Sequence, residues 1–281
     1  MANTSAFTNI FERYETKYML TPAQARLLRA LMEEHMEPDE FGRSTICNLY
    51  YDTPDFLLIR RSLDHPLYKE KVRLRSYGRA GADSTVFLEL KKKYKSVVYK
   101  RRISMSEAKA MDLTAREAAA PGCEKDCSSQ ILKEIDYAFI QYPGLAPRMF
   151  IAYDREAFYA KDDHDVRITL DQNIRFRTNR LDLKESSEGR LLTAPGQVLA
   201  EIKTGPAMPL WLAQFLSEHR IFKVSFSKYG AAYQTVLAET LESRRQTAAA
   251  AIPAQALLQE AMSAGIVRGD RRRALARPRA V

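Results

Sequence analysis

Lys69, Lys71, Arg73, Arg75 and Tyr77 occupy one parity of the segment Tyr68–Tyr77, and Glu70, Val72 and Leu74 occupy the other. In a strand successive side chains point to opposite faces, so this spacing makes one basic face and one largely apolar face. The pattern recurs. Glu89, Lys91 and Lys93 stand opposite Leu88 and Leu90; Glu201 and Lys203 oppose Ile202; Arg167, Thr169 and Asp171 oppose Ile168 and Leu170; Arg13, Glu15 and Lys17 share a parity near the start. Arginine offers a fork that matches phosphate oxygens, and lysine a point charge. Lys17, Arg73, Arg75, Lys91, Lys100, Arg102, Arg155, Arg167, Lys203 and Lys228 are therefore candidates for holding a polyanion. The carboxylates Glu15, Glu89, Asp171 and Glu201 have two readings: they pair with neighbouring bases, or they hold Mg2+ or Mn2+ against phosphate oxygens.

Other chemistries find little support. His35, His65, His164 and His219 are scattered without a His-Glu-x-x-His spacing, no hydrolytic triad stands out, and no glycine-rich phosphate loop with its Lys and Ser/Thr is present. Any phosphate must be held by side chains.

The elements that carry these residues are read from periodicity and punctuation. Strands are expected at Phe11–Leu20, Ser44–Tyr51, Tyr68–Tyr77, Ser84–Lys93, Val97–Met105, Met149–Tyr159, Val166–Thr178 and Gln197–Thr204. Helices are expected at Ala23–Met36 behind Thr21-Pro22, through Phe56–Leu63, from Ser106 to about Ala118, over Ser129–Gln141, Pro209–His219 and Tyr229–Arg244. A sheet with one solvated face would satisfy the alternation. The preferred expectation is an α+β domain in which the sheet shuts into a closed antiparallel eight-stranded β-barrel, charged faces inward and helices packed outside.

The chain has 281 residues with a formal charge of +9, 46% hydrophobic composition and three cysteines. The Cys123/Cys127 pair lacks a partner pair, so reduced thiols in a cytoplasmic protein are expected. Met1–Asn9 has no signal pattern, and no apolar run is long enough to span a bilayer. Residues 1–244 are read as one domain, and residues 245–281 as a basic Ala/Arg-rich tail, a weak helix over Pro253–Ala264 followed by disorder.

Arg13-Tyr14-Glu15-Thr16-Lys17-Tyr18, Arg73-Leu74-Arg75, Glu89-Leu90-Lys91, Tyr153-Asp154-Arg155, Arg167-Ile168-Thr169-Leu170-Asp171, Glu201-Ile202-Lys203 and Ser227-Lys228-Tyr229 occur in this order over about residues 9–240. In this the sequence resembles the catalytic domain of the vacuolar transporter chaperone (VTC) polyphosphate polymerases, within the CYTH-like triphosphate tunnel metalloenzymes. The resemblance implies a basic tunnel holding a nucleoside triphosphate and a growing polyphosphate. By position, Lys17, Arg73, Arg75, Lys91, Arg155, Arg167 and Lys228 match the family's phosphate-binding residues, with Ser227 beside them and either Lys100 or Arg102 as a further base. Glu201 matches its metal-binding glutamate, Glu15 sits where the wider superfamily has a metal-binding acid, and Glu89 is a third candidate. Where the family pattern is similar to Lys-x-Ser-Lys this chain has Ser225-Phe226-Ser227-Lys228, so one basic contact is absent unless Lys223 replaces it.

The implied reaction is transfer of the γ-phosphoryl group of ATP to polyphosphate with Mn2+ or Mg2+. Arg73, Arg75, Lys91, Arg155, Arg167 and Glu201 would be catalytic, and Lys17, Lys100, Arg102, Lys203, Ser227 and Lys228 would bind substrate. Hydrolysis of tripolyphosphate or a nucleoside triphosphate is the enzymatic alternative, and a non-catalytic polyphosphate- or RNA-binding module the other, nucleic acid being the less favoured partner. The chain shows no likeness to a phosphate-sensing domain or membrane segment, which leaves room for a membrane-protein partner.

Overall fold

A computed structural model describes residues 14–95, 97–119 and 129–250. The predicted Arg13, the Cys123/Cys127 pair and the helix and tail beyond residue 250 lie outside the described residues. The chain divides into two units, Met1–Tyr233 and Gln234–Val281. The first holds every strand of the sheet.

Strands β1 (Tyr14–Leu20), β2 (Met36–Pro38), β3 (Ser44–Asp52), β4 (Tyr68–Tyr77), β5 (Thr85–Tyr94), β6 (Val97–Ser106), β7 (Ala146–Ala160), β8 (Arg167–Arg177), β9 (Arg190–Leu191) and β10 (Val198–Thr204) build a single sheet. Its main path runs β1-β10-β8-β7-β3-β4-β5-β6, with β2 added to β7 and β9 to β8. All its strand pairs are antiparallel. The helices are α1 (Pro22–His35), α2 (Leu57–Leu63), α3 (Glu107–Ala119), α4 (Gln130–Gln141), α5 (Leu210–Glu218) and α6 (Lys228–Ala250). Thr21 and Gln24 close the start of α1 with a reciprocal capping box.

The apolar parity of each long strand faces helices. Leu74, Leu88 and Leu90 pack with Leu113, Ile135 and Phe139 from α3 and α4, while Leu170 and Ile202 pack with Leu28, Met32, Leu212 and Phe215 from α1 and α5. The charged parity is therefore left on the face without helices, apart from the chain entering α6.

The expected closed barrel does not form. β1 and β6 stand at opposite ends of the path and do not pair with each other. One cause lies in the chain itself: the free edge of β1 is taken by the segment before α6. Tyr18 bridges Lys223, the Val224 amide donates to the Lys17 carbonyl at 2.8 Å, and Lys17 Nζ reaches the Phe226 carbonyl at 3.2 Å. Alternation fixes which side chains share a face but not which edges meet. The result is an open sheet in which β3, β4, β8 and β10 each contact the chain at the start of α6.

Candidate functional site

The centre of the charged face is built from β7, β8, β10 and the first residue of α6. A register shift between Ala152 and Asp154 in the β7–β8 ladder puts Arg155 opposite Asp171. Arg155 donates from Nε to Asp171 Oδ1 at 2.6 Å and from Nη2 to Oδ2 at 2.8 Å, and the same Nη2 reaches Glu201 Oε2 at 3.2 Å. Lys228 Nζ sits 2.6 Å from Asp171 Oδ2 and 2.8 Å from Glu201 Oε1. The Tyr153 ring lies beneath both cations, 5.1 Å from the Arg155 guanidinium carbon and 4.5 Å from Lys228 Nζ. Burial opposes the charge on Lys228, but Asp171 and Glu201 outweigh it and hold the ammonium above its usual value. For Glu201 burial is likewise overcome, by Lys228, Lys17 and Arg155, and the carboxyl is held well below the usual range.

Lys228 is delivered by a long-range arrangement. Ser227 Oγ accepts from the Gly230 amide at 3.2 Å and from Lys71 Nζ at 3.1 Å, tying the start of α6 to β4. Tyr229 donates to Asp52 Oδ2 at 2.8 Å and stacks on Tyr50 with centroids 4.6 Å apart, tying the same turn to β3. A Cβ at Gly230 would meet Leu63 Cδ2 at 3.1 Å, so a bare backbone suits the close approach to α2.

A second cluster lies on β4, β5 and β6. Glu89, opposite Arg73 and Arg102 in register, accepts from Arg73 Nε at 2.6 Å and Arg102 Nε at 2.7 Å, with Lys100 Nζ 3.0 Å away. Its side chain is 1% exposed. Burial opposes its charge, but Arg73, Arg75 and Lys100 hold it well below the usual range. Arg75 donates to Asn48 Oδ1 at 2.9 Å and Tyr153 Oη at 3.3 Å, and Arg73 to Tyr50 Oη at 3.2 Å.

Beyond this cluster the cations lose their counter-charges. Lys69 pairs in register with Lys93, and Lys71 with Lys91, which faces Lys100. Among the described residues Lys69, Lys71, Lys91 and Lys93 have no carboxylate within salt-bridge distance. Burial, opposed by Tyr50 and reinforced by Lys91, Lys69 and Lys17, brings the Lys71 ammonium down to about 8. Lys203 is lowered by burial against the pull of Glu15 and Glu201. Arg167 lies over the Tyr159 ring at 4.7 Å and reaches Asp39 Oδ2 at 3.5 Å. Arg167 Nε and, two residues along the same face, Thr169 Oγ1 are buried without a hydrogen-bond partner.

Among the described residues no group of three or more His, Cys, Asp or Glu side chains gathers into a metal site. Glu15 and Glu201 flank Lys17, whose Nζ lies 3.5 and 3.4 Å from their Oε1 atoms. Mg2+ keeps several waters and binds through one or two carboxylates plus substrate phosphates. Glu15 and Glu201 are two carboxylates of that kind, standing on either side of the Lys17 ammonium. Glu89 stands apart from them with three cations on its carboxylate.

The predicted residues thus fall on one face in two groups: Lys17, Arg155, Arg167, Glu201, Lys203, Ser227 and Lys228 around the start of α6, and Arg73, Arg75, Glu89, Lys91, Lys100 and Arg102 on the β4–β6 side. Sequence reasoning placed Lys71 on this face without selecting it, and missed Tyr50. Their signal is contact with Ser227 and Tyr229, more than 150 residues away, which no local pattern carries. Three of the histidines pack on rings: His35 stacks on Trp211, His219 packs on Phe215, and His164 lies by Tyr159, the ring beneath Arg167.

A family model of the VTC domain matches residues 12–237. Among curated proteins, vacuolar transporter chaperone complex subunit 4 of Schizosaccharomyces pombe is 26% identical over 191 residues, covering 58% of this chain and 26% of that protein. The chain therefore spans about a quarter of that relative's length. Among solved structures, a candidate adenylyl cyclase from Hippeastrum with a dominant triphosphatase activity aligns with a TM-score of 0.48 and 15% identity, over 80% of this chain and 96% of that one. A candidate adenylate cyclase from Vibrio parahaemolyticus aligns with a TM-score of 0.40 and 14% identity, over 79% of this chain and 98% of that one.

Proposed function

The chain belongs to the VTC domain family, and from that premise we propose that it is a metal-dependent polyphosphate polymerase transferring the γ-phosphoryl group of ATP to inorganic polyphosphate. The observation that carries this reading is the sorting of charge on the open face. The acids Asp171, Glu201 and Glu89 are each held by two or three cations, while Lys69, Lys71, Lys91 and Lys93 have no counter-charge among the described residues. Such a surface is suited to a chain of phosphates rather than to a single one.

The acceptor is a terminal phosphate oxygen that is already anionic, so its attack on the γ-phosphorus needs no side-chain base. The bond from that phosphorus to the β-bridging oxygen breaks, and ADP leaves with the electron pair. Arg155, Arg167, Lys17 and Lys228 orient the triphosphate and offset its charge; Arg73, Arg75, Lys91, Lys100 and Arg102 align the polyphosphate end. Glu201, with Glu15, would hold a divalent ion, which when bound adds charge neutralisation at the phosphate oxygens. Lys203 and the Ser227 hydroxyl complete the cradle. Among the described residues no helix is long and apolar enough to cross a membrane.

The purified full chain, given ATP and Mn2+ or Mg2+, is expected to yield long polymer on a gel with matching ADP. Free phosphate without polymer would move it to the triphosphate hydrolases, and neither product, with polyphosphate still bound, to the binding modules.

Lys71 gives this reading a pH signature. Phosphate bound beside it stabilises the ammonium, so above about pH 8, where the empty site has lost that proton, binding must take one up. Affinity for tripolyphosphate is expected to be level below about pH 8 and to weaken above it, by at most about tenfold per pH unit from this group. Burial lowers Lys69, Lys100 and Lys203 as well, so Lys71→Met should retain a shallower slope. Titration calorimetry in buffers of different ionisation enthalpy reads the proton directly, and equal uptake by both proteins would remove Lys71 from the site.

A further inference from the structure

The β5–β6 hairpin ends the sheet in a cluster of exposed apolar side chains. Register places Tyr68 opposite Tyr94 and Tyr94 opposite Val97, and the Lys95 amide donates to the Leu67 carbonyl at 2.9 Å. Leu67, Tyr68, Tyr94, Val97, Val98 and Tyr99 therefore share one end, with Leu67 71% and Val97 55% exposed. Alternation sends Val98 to the charged face with Lys93 and keeps Tyr68, Tyr94, Val97 and Tyr99 on the other, so exposed apolar side chains flank this end of the sheet on both sides, and exposed apolar surface of this kind marks a contact site. The charged residues among them, Lys93 and Lys95, are basic. Lys93 and Lys95 have no carboxylate within salt-bridge distance among the described residues; Glu134 is held by Lys92 and Arg101, and Glu70 accepts from Tyr142 and Tyr68.

This combination narrows the occupant. In a second copy paired two-fold along β6, the central Arg101 and Arg102 would meet their own equivalents and repel. RNA would use the lysines and the rings of Tyr68, Tyr94 and Tyr99, but neither it nor polyphosphate gains from Leu67, Val97 and Val98, which offer neither charge nor a stacking plane. An anionic bilayer uses every feature at once. Tyrosine rings settle at the headgroup level, aliphatic side chains enter the acyl boundary, and lysines extend to lipid phosphates.

We propose that the β5–β6 hairpin tip docks this domain on an anionic lipid surface. The inference shares Lys93 with the proposed polyphosphate surface and otherwise stands apart from the proposed reaction. Its test uses the full chain with phosphatidylcholine vesicles, with and without phosphatidylserine, read by co-sedimentation. The unchanged protein is expected to bind only the anionic vesicles, and Val97→Ser with Tyr99→Ser to weaken that binding about tenfold or more while circular dichroism stays the same. Because the arginine-rich tail would itself attract anionic lipid, a positional readout is needed. With brominated lipid in the vesicles, emission added by Tyr94→Trp is expected to be quenched while that of Trp211, the chain's single tryptophan, is not. Undiminished binding by the double variant, binding to neutral vesicles, or quenching no stronger than that of Trp211 would overturn the proposal.

Discussion

A Glu201→Gln protein is expected to lose about two to three orders of magnitude in turnover while binding tripolyphosphate at least as tightly as the unchanged protein. The carboxylate receives Lys228 at 2.8 Å and Lys17 at 3.4 Å on one oxygen and Arg155 at 3.2 Å on the other. An amide of the same shape keeps the packing but removes one negative charge from among three cations. Attraction for an incoming polyanion therefore rises, and Lys228 and Arg155 keep Asp171 as a partner. What disappears is the charge that fixes the directions of Lys17 and Lys228 and that would hold a divalent ion with Glu15. The effect falls on the transition state, where aim and charge matter most, and not on the ground-state complex. ADP release with Mn2+ gives the rate, and calorimetry with tripolyphosphate in the absence of metal gives the affinity. Turnover at the unchanged level would remove Glu201 from the chemistry. Parallel loss of rate and affinity would make it a part of the substrate cradle only.

The contrast between these two readouts depends on knowing what surrounds Glu201, and that was only partly legible in the sequence. The alternation of Lys69, Lys71, Arg73 and Arg75 with Val72 and Leu74 correctly announced a charged face and an apolar face, because burial of one parity is enforced by packing along the whole strand. Strand positions followed from the same pattern to within a residue or two for β3, β4, β5, β6 and β8. The short strands β2 and β9 were not expected: three and two residues hold no periodicity to read. Closure was misjudged because it depends on what lies at the β1 edge, and the segment Lys223–Phe226 occupies it from more than 200 positions away. The pairing of Arg73 with Glu89, and of Arg155 with Asp171, likewise needs the register between strands, which composition does not contain. Lys71 looked like its neighbours until Ser227 was brought beside it.

Glu89 gives the other large effect, and its sign separates two roles. With the side chain 1% exposed and Arg73, Arg102 and Lys100 around it, Glu89→Gln should leave those cations facing one another. Removing one partner of a buried ion cluster costs about 3 kcal/mol at the lower end of the usual range, which is where this site belongs because Lys100 and Arg102 reach water. The melting temperature should fall by roughly 6–12 °C. The folded carboxyl lies below its ordinary value, so its contribution is complete above the usual carboxylate range and is lost as pH falls through the folded value. The stabilities of the two proteins should therefore converge in acid. Added tripolyphosphate should raise the melting temperature of the variant more than that of the unchanged protein, since the ligand then supplies the counter-charge that Glu89 supplied. A Glu89 acting as a metal ligand would behave otherwise: the variant would melt close to the unchanged protein in the absence of metal and lose only the stabilisation that Mn2+ adds. Melting curves of both proteins with tripolyphosphate and with Mn2+ separately distinguish the organiser of three cations from the holder of a fourth.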